Sequence, residues 1–278
     1  MAGARGSGGP EPAHVTLKDY PPLVSTSVAL HGVAAGMLAW QPSSWPWVAG
    51  LVLADHAALT AAGLWPRSSL LGPNVTRLPP APDAARVALT IDDGPHPEVT
   101  PRVLDLLDTL HARATFFCIG EHVRRYPALG RDILARGHSI ENHSQRHLNR
   151  FSVLGPRAMR AEVAGAQDTI ADVTGYRPRY FRAPAGLRNP FLDAVLRSLE
   201  LQLVSWTRRG FDTVSNRAEV VLARLTRDLG SGDIVLLHDG NAAVTARGEP
   251  VVLEVLPGLL AAFAAAGLAT VTLGEALP

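Results

Sequence analysis

Hydrophobic positions divide the chain into two regions of different character. From Tyr20 to Pro66 the only formal charge is Asp55, and two apolar runs lie there, Leu23 to Trp40 and about Trp45 to Trp65. Each is close to the roughly 20 residues that cross a bilayer as a helix. Trp40, Trp45, Trp47 and Trp65 sit at their ends, where interfacial aromatics belong, and Pro42 and Pro46 bracket a short turn. The pattern predicts a hydrophobic helical hairpin over residues 20–66. A secretory signal is the competing reading, but it needs a basic start, a short apolar core and a small-residue cleavage site. Here the apolar stretch begins late and a second one follows. Asp55 and His56 are expensive in hydrocarbon unless they face the partner helix. Their adjacent spacing is no metal site, and His31 reads as a helix-packing residue.

From Arg86 onward, strand and helix signals alternate. Strands are expected at 86–91, 114–119, 138–141, 180–182, 201–206, 233–237 and 269–271. Helices are expected between them at 101–111, 127–136, 156–174, 190–199, 216–229 and 250–266. Several of these helices open on proline, whose missing N–H costs nothing in a first turn. Gly137, Gly175, Gly232 and Gly267 follow helical stretches as stops. Repeated βα units imply a parallel sheet, open or closed. The remaining segments are a Gly-, Ala- and Pro-rich tail at residues 1–19, expected to be disordered, and a linker at residues 67–85. Residues 86–278 form the main domain.

Composition narrows the picture. The chain has 278 residues, 18% charged and 47% hydrophobic, with a formal net charge of +1. Such a composition folds, and near-neutrality leaves no electrostatic footprint for nucleic acid. The single cysteine, Cys118, rules out an internal disulfide and falls in an apolar run, which suits a buried thiol. The Asn74-Val75-Thr76 triplet matches a glycosylation sequon, a common chance occurrence. Arg5 and Lys18 precede the apolar pair, Arg67 and Arg77 follow it, and its turn has no Lys or Arg. The positive-inside rule then places both ends in the cytoplasm, on a membrane-associated protein.

Candidate chemistry concentrates at the ends of the predicted strands. Thr90-Ile91-Asp92-Asp93-Gly94-Pro95 closes the first strand with adjacent carboxylates, and His143-Ser144-Gln145-Arg146-His147 places imidazoles at i and i+4. One Asp and two His form a facial set for a catalytic divalent metal, and the second Asp is left as a general base. Spacing of i and i+4 puts both imidazoles on one face if the segment is helical. Arg182, Asp212 and His238 also fall at or just after strand ends, and in a parallel barrel that rim carries the active site.

Three further blocks follow in order: Arg182-Ala183-Pro184-Ala185-Gly186, Trp206 with Asp212, and Leu236-Leu237-His238. Together these blocks, spread over residues from about 86 to 273, resemble the polysaccharide deacetylase (NodB-homology) family, carbohydrate esterases that remove N- or O-acetyl groups from sugars. The resemblance implies a distorted (β/α)7-type barrel behind the N-terminal hairpin. It implies one divalent metal on Asp93, His143 and His147, with Zn2+ the default and Co2+, Mn2+ or Fe2+ also suited to such ligands. It further implies Asp92 as general base, His238 as general acid, Asp212 as the partner that raises the pKa of His238, and Arg182 as the group that orients Asp92. The backbone amide of Ala185 would stabilise the oxyanion, and Pro184 would lie against substrate.

The implied activity is metal-dependent removal of an N-linked acetyl group from a carbohydrate. An O-acetyl esterase or a sugar N-deformylase would use the same machinery, and a silent glycan- or lipid-binding relative would need none of it. Ala185 replaces an aromatic residue usual in the third block, Thr213 replaces a Trp, and Arg209 stands where an acid is common. Those changes weaken the case for a long stacked polymer, and Arg208 and Arg209 add positive charge near the rim. The expected substrate is an acylated saccharide, lipid-linked or otherwise held at a membrane.

Overall fold

The computed structural model describes residues 20–82 and 84–277; the expected N-terminal tail lies outside the described residues. Helices α1 (Pro22–Trp40) and α2 (Trp45–Leu64) form the hairpin, joined by a single 3-10 turn at Pro42–Ser44. Both are long and apolar enough to cross a membrane, and only 17% of each apolar window is buried. That low fraction distinguishes them from the core helix of a soluble domain, which is covered by its neighbours. Asp55 faces α1, accepting a hydrogen bond of 2.6 Å from Ser27 Oγ. His31 and His56 each bond the backbone carbonyl four residues back, which satisfies one ring nitrogen apiece.

The main domain is a parallel sheet curled into a partial barrel. Its elements run β1 (Arg86–Asp92), α3 (Thr100–Thr109), β2 (Ala114–Cys118), α4 (Gly120–Arg125), α5 (Pro127–Ala135), β3 (Ser139–Asn142), α6 (Pro156–Thr174), β4 (Tyr180–Phe181) and α7 (Leu192–Ser198). They continue through β5 (Gln202–Leu203), β6 (Arg208–Arg209), α8 (Ala218–Thr226), β7 (Ile234–His238), α9 (Val251–Ala265), β8 (Ala269–Thr270) and α10 (Leu273–Ala276). Strand order is β5-β4-β3-β2-β1-β7-β6, with β8 beside the start of β1.

Alternation along β1 sorts the residues. Val87, Leu89 and Ile91 join the core between sheet and helices, against α3 and α9. Ala88 turns into the barrel with Phe117, Val204, Trp206 and Leu236. Thr90 and Asp92 share its parity and its face. Cys118 is fully buried, as its apolar run predicts, and burial pushes its thiol pKa well up. Gly175 ends α6 in the left-handed conformation, φ 75°.

Sequence patterning missed α4, α10 and β6, all of them short. The α10 start nevertheless carries a local signal, the Thr272–Glu275 capping box. A larger difference concerns residues 67–79, part of the segment expected to be a linker. Val75 pairs in parallel with Val204, and Leu78 is buried and donates its N–H to Gly232 O. The segment thus runs through the gap between β5 and β7. Asn74 spends its side-chain amide on Pro66 O and Ser68 O, so the sequon is already engaged in structure.

A chain starting at Ala81 loses this closure, while one starting at Pro66 keeps it. Full burial of a side chain such as Leu78 contributes about 1.5–3 kcal/mol, so the shorter chain should melt about 5 °C or more below the longer one. Equal melting temperatures, read by scanning calorimetry, would show that residues 66–80 are a passive tether.

Candidate active site

Every residue singled out at a strand end meets at one rim. Asp92 ends β1, His238 ends β7, and Arg182 follows β4 and reaches across the barrel interior. Arg182 is essentially inaccessible. Its Nη1 donates to Asp92 Oδ1 at 2.7 Å and to Thr90 Oγ1 at 2.8 Å, and its Nη2 donates to Ser205 O at 2.9 Å. The guanidinium lies over the Phe117 ring, 4.1 Å from its centroid. A buried charge survives only when paired and hydrogen-bonded, and this one is both. Asp92 is thereby fixed with Oδ2 turned towards the His143 ring, 3.8 Å from Nε2.

Asp93 has a left-handed backbone, φ 76°, and approaches the same imidazole. Its Oδ1 lies 3.2 Å from His143 Nε2 and 3.3 Å from His147 Nε2. The two imidazoles do not share a helical face, as i,i+4 spacing suggests. Residues 143–149 form an irregular loop with Ser144 at φ 65° and His147 at φ 49°. Non-glycine residues in this region are strained, and such strain gathers where a site over-determines it. The loop is stitched by Asn142 Oδ1 accepting from Ser144 N, and by Ser144 Oγ accepting from His147 N. The ring centroids end 4.8 Å apart.

These three side chains fit a divalent cation. Asp93 Oδ1 is buried without any hydrogen-bond partner, a costly arrangement unless something positive is meant to meet it. Asp93 Oδ2 is held by Asn241 Nδ2 at 2.9 Å. His143 Nδ1 bonds Arg182 O at 2.8 Å, which fixes the tautomer and leaves Nε2 as a lone-pair donor. The three ligand atoms lie within 4.8 Å of one another. Burial would raise the pKa of Asp93, but the close approach of His143 and the charges of His143, His238 and His147 hold it well below the usual carboxylate range. Burial and His143 lower the pKa of His147, favouring the neutral ligand form. Burial works against a proton on His143, yet Asp92 and Asp93 outweigh it and raise its pKa, so a proton competes with a cation there.

On β7 beside Asp92, His238 Nδ1 bonds Asp212 Oδ1 at 2.9 Å, and the other Asp212 oxygen accepts from His238 N at 2.8 Å. Asp212 is fully buried. Burial opposes the imidazolium, but the Asp212 bond and charge, with the charges of Asp92 and Asp93, push His238 up to about 9. Ala185, Gly186, Trp206, Arg209, Thr213 and Asn241 complete a pocket of about 190 Å³. Pro184 is buried and lies outside this lining, whereas Ala185 is exposed at φ 54°. Although Thr213 lacks an indole, Trp206 supplies one to the pocket wall.

Arg208 does not reach the rim. Its Nε donates to Asp233 Oδ2 at 2.8 Å, and its remaining nitrogens donate to Arg227 O and Asp228 O. Adjacent strand residues point to opposite faces, so one Arg of the pair is structural and Arg209 alone lines the pocket. Sequence reasoning also missed Asn241, His122 and Asp239. His122 Nδ1 bonds Asp93 O at 3.0 Å. Asp239 accepts from Thr100 Oγ1, and burial pushes its carboxyl up to about 7. Its carboxylate lies where a side chain at position 94 would go, so Gly94 is required there by space. A carboxylate directly after His238 was the available signal.

Comparison with known proteins identifies the family. The model of the family described as polysaccharide deacetylase matches residues 80–204. A chitooligosaccharide deacetylase of Azorhizobium caulinodans is 35% identical over 155 residues, 55% of this chain and 73% of that protein. A peptidoglycan-N-acetylglucosamine deacetylase of Bacillus cereus is 36% identical over 163 residues, 56% of this chain and 73% of that protein. Among solved structures, a mutant of a CE4 family pseudoenzyme from Bacillus anthracis, with restored enzymatic activity, superposes with a TM-score of 0.65. It is 25% identical and covers 74% of this chain and 71% of its own. The chain belongs to the polysaccharide deacetylase family, on a curled parallel barrel of the CE4 type.

The His238–Asp212 pair has a direct test. In Asp212→Asn the neutral amide cannot stabilise the imidazolium, so burial should carry the His238 pKa down from about 9. The raised folded pKa means this pair stabilises the parent below the unfolded value near 6.5, an advantage lost as pH rises through about 9. NMR titration of the imidazole reads the shift, and an unchanged value in the variant would show that Asp212 does not control it.

Proposed function

We propose that the protein is a metal-dependent hydrolase that removes an N-linked acyl group, an acetyl in the leading case, from a saccharide. The observation that carries this reading is the unpartnered oxygen of Asp93 converging with His143 and His147 beside a second carboxylate held by Arg182. A divalent cation bound by Asp93, His143 and His147 would polarise the acyl carbonyl and activate water. Zinc suits the two-imidazole, one-carboxylate set, as do cobalt, manganese and iron.

The chain's own residues supply the proton transfers. Asp92, oriented by Arg182, takes the proton from the attacking water as the C–O bond forms. His238, in the same pocket on the neighbouring strand, donates a proton to the departing amine nitrogen as the C–N bond breaks. Its high pKa keeps that proton available at neutral pH. Ala185 presents its backbone to the same pocket, which supports its amide as an oxyanion donor. Because a CE4-type fold occurs in a pseudoenzyme, fold alone does not secure activity; the full set of acid, base and ligand side chains favours a working enzyme over a silent binder.

The hairpin supports anchoring in a membrane. Its helices are apolar around their circumference, tryptophans flank them, and Pro66, just after them, is already bonded to the main domain. A tethered pocket mainly meets molecules held at the same surface, which favours a membrane-associated saccharide over a soluble polymer. Arg67 and Arg77 after the hairpin, with Arg5 and Lys18 before it, support a cytoplasmic position for the domain.

Asp92→Asn tests the assignment. The amide keeps the size and can accept from Arg182, yet it cannot take a proton. Acyl release from an N-acetylated chito-oligosaccharide should fall about 10²–10⁴-fold, with metal content by mass spectrometry unchanged. Turnover equal to the parent would remove Asp92 as the base.

A further inference from the structure

The catalytic pocket opens sideways into a second groove of about 490 Å³. Ala185, Trp206 and Arg209 line both spaces. One wall of the groove is the end of the hairpin, Leu64 to Arg67, and the other carries Arg209 and Phe211. The hairpin end is fixed there. Pro66 O accepts from Ser205 Oγ at 2.7 Å and from Asn74 Nδ2 at 2.9 Å, and Arg188 N donates to Gly63 O at 3.2 Å. Gly186 allows the approach, since a Cβ there would meet Trp206 and Pro66.

The groove is cationic and has no counter-charge. Arg67 and Arg209 line it without any Asp or Glu, and among the described residues neither forms an ion pair. Arg209 is instead held by aromatic rings, its guanidinium carbon 5.3 Å from the Trp206 centroid and 4.9 Å from that of Phe211. Its Nε is buried with no hydrogen-bond partner. A guanidinium stacked on rings keeps its donor edge free, and that fork matches a phosphate or carboxylate oxygen pair. The neighbouring wall is strongly apolar, with Leu64 and Trp65 largely exposed and continuous with the bare surface of α2.

We infer that this groove is a phosphate subsite and that the substrate is an acylated saccharide carried on a lipid phosphate. The acylated sugar occupies the catalytic pocket, the phosphate lies between Arg67 and Arg209, and the apolar chain leaves along α2 towards the bilayer. A neutral glycan offers the two arginines only uncharged hydroxyl and amide acceptors. A soluble sugar phosphate satisfies them but leaves Leu64 and Trp65 bare. This inference rests on the deacylase reading for its sugar and stands apart from it for its phosphate.

The test uses the whole chain in detergent micelles. Acyl release is compared for farnesyl-phosphate-linked N-acetylglucosamine, N-acetylglucosamine 1-phosphate and chitotetraose, in the parent, Arg67→Ala, Arg209→Ala and Arg209→Gln. A charge-assisted bond lost from the subsite should raise KM for both phosphorylated substrates about tenfold more than for chitotetraose, with the effect in KM rather than kcat. The parent should also favour the farnesyl substrate over the sugar phosphate. Equal penalties on all three substrates would overturn the subsite, and a parent preference for the sugar phosphate would overturn the lipid. Binding of farnesyl phosphate and of farnesol by calorimetry separates this outcome from failure of the enzyme reading. If no substrate is deacylated, tighter binding of the phosphate that weakens in Arg209→Ala still supports the subsite, whereas equal affinity for phosphate and alcohol overturns it.

Discussion

The site depends on one buried ion pair. Arg182 crosses the barrel interior and meets Asp92 at 2.7 Å with almost no access to solvent. A guanidinium so placed must have its donors filled, and Thr90, Val204 and Ser205 from neighbouring strands supply the remaining acceptors. Those bonds fix β1, β4 and the chain after β5 relative to one another at the catalytic end. The backbone carbonyl of the same residue takes Nδ1 of His143, so the candidate base and one metal-ligand candidate are both tied to Arg182. Substituting Arg182 would leave a buried carboxylate unpaired, while the backbone carbonyl at that position would still hold the His143 imidazole.

Asp92 and Asp93 illustrate how adjacent residues acquire separate duties. Both are buried, yet one follows the strand inward and the other is turned by a left-handed backbone towards the histidines. Gly240 makes room for this turn, because a Cβ there would strike the Asp93 carbonyl. His238 lies beside Asp92 on the neighbouring strand and carries its own carboxylate, Asp212. All of these groups line one small pocket or bond to residues that do.

Much of this was legible in the sequence because its signals are local. Apolar runs ending in carboxylates or imidazoles mark strands that deliver chemistry to a rim, and β1 and β7 fulfil that expectation. The hairpin was equally plain from its missing charges. Three features were not legible, each for a physical reason. The convergence of His143 and His147 depends on left-handed residues in a loop, not on helical spacing. The opposite fates of Arg208 and Arg209 depend on the face of a two-residue strand too short to show alternation. The docking of residues 66–79 depends on a gap between β5 and β7 that exists only once the barrel has formed.

We propose that the unsatisfied oxygen of Asp93 and the two imidazoles hold one catalytic cation. Cobalt titration of chelator-stripped protein, followed by visible absorption and by acyl release on the same samples, tests this directly. Absorption and activity should rise together and level off at one ion per chain. Full activity in the stripped protein, or saturation of the absorption with no gain in rate, would contradict it.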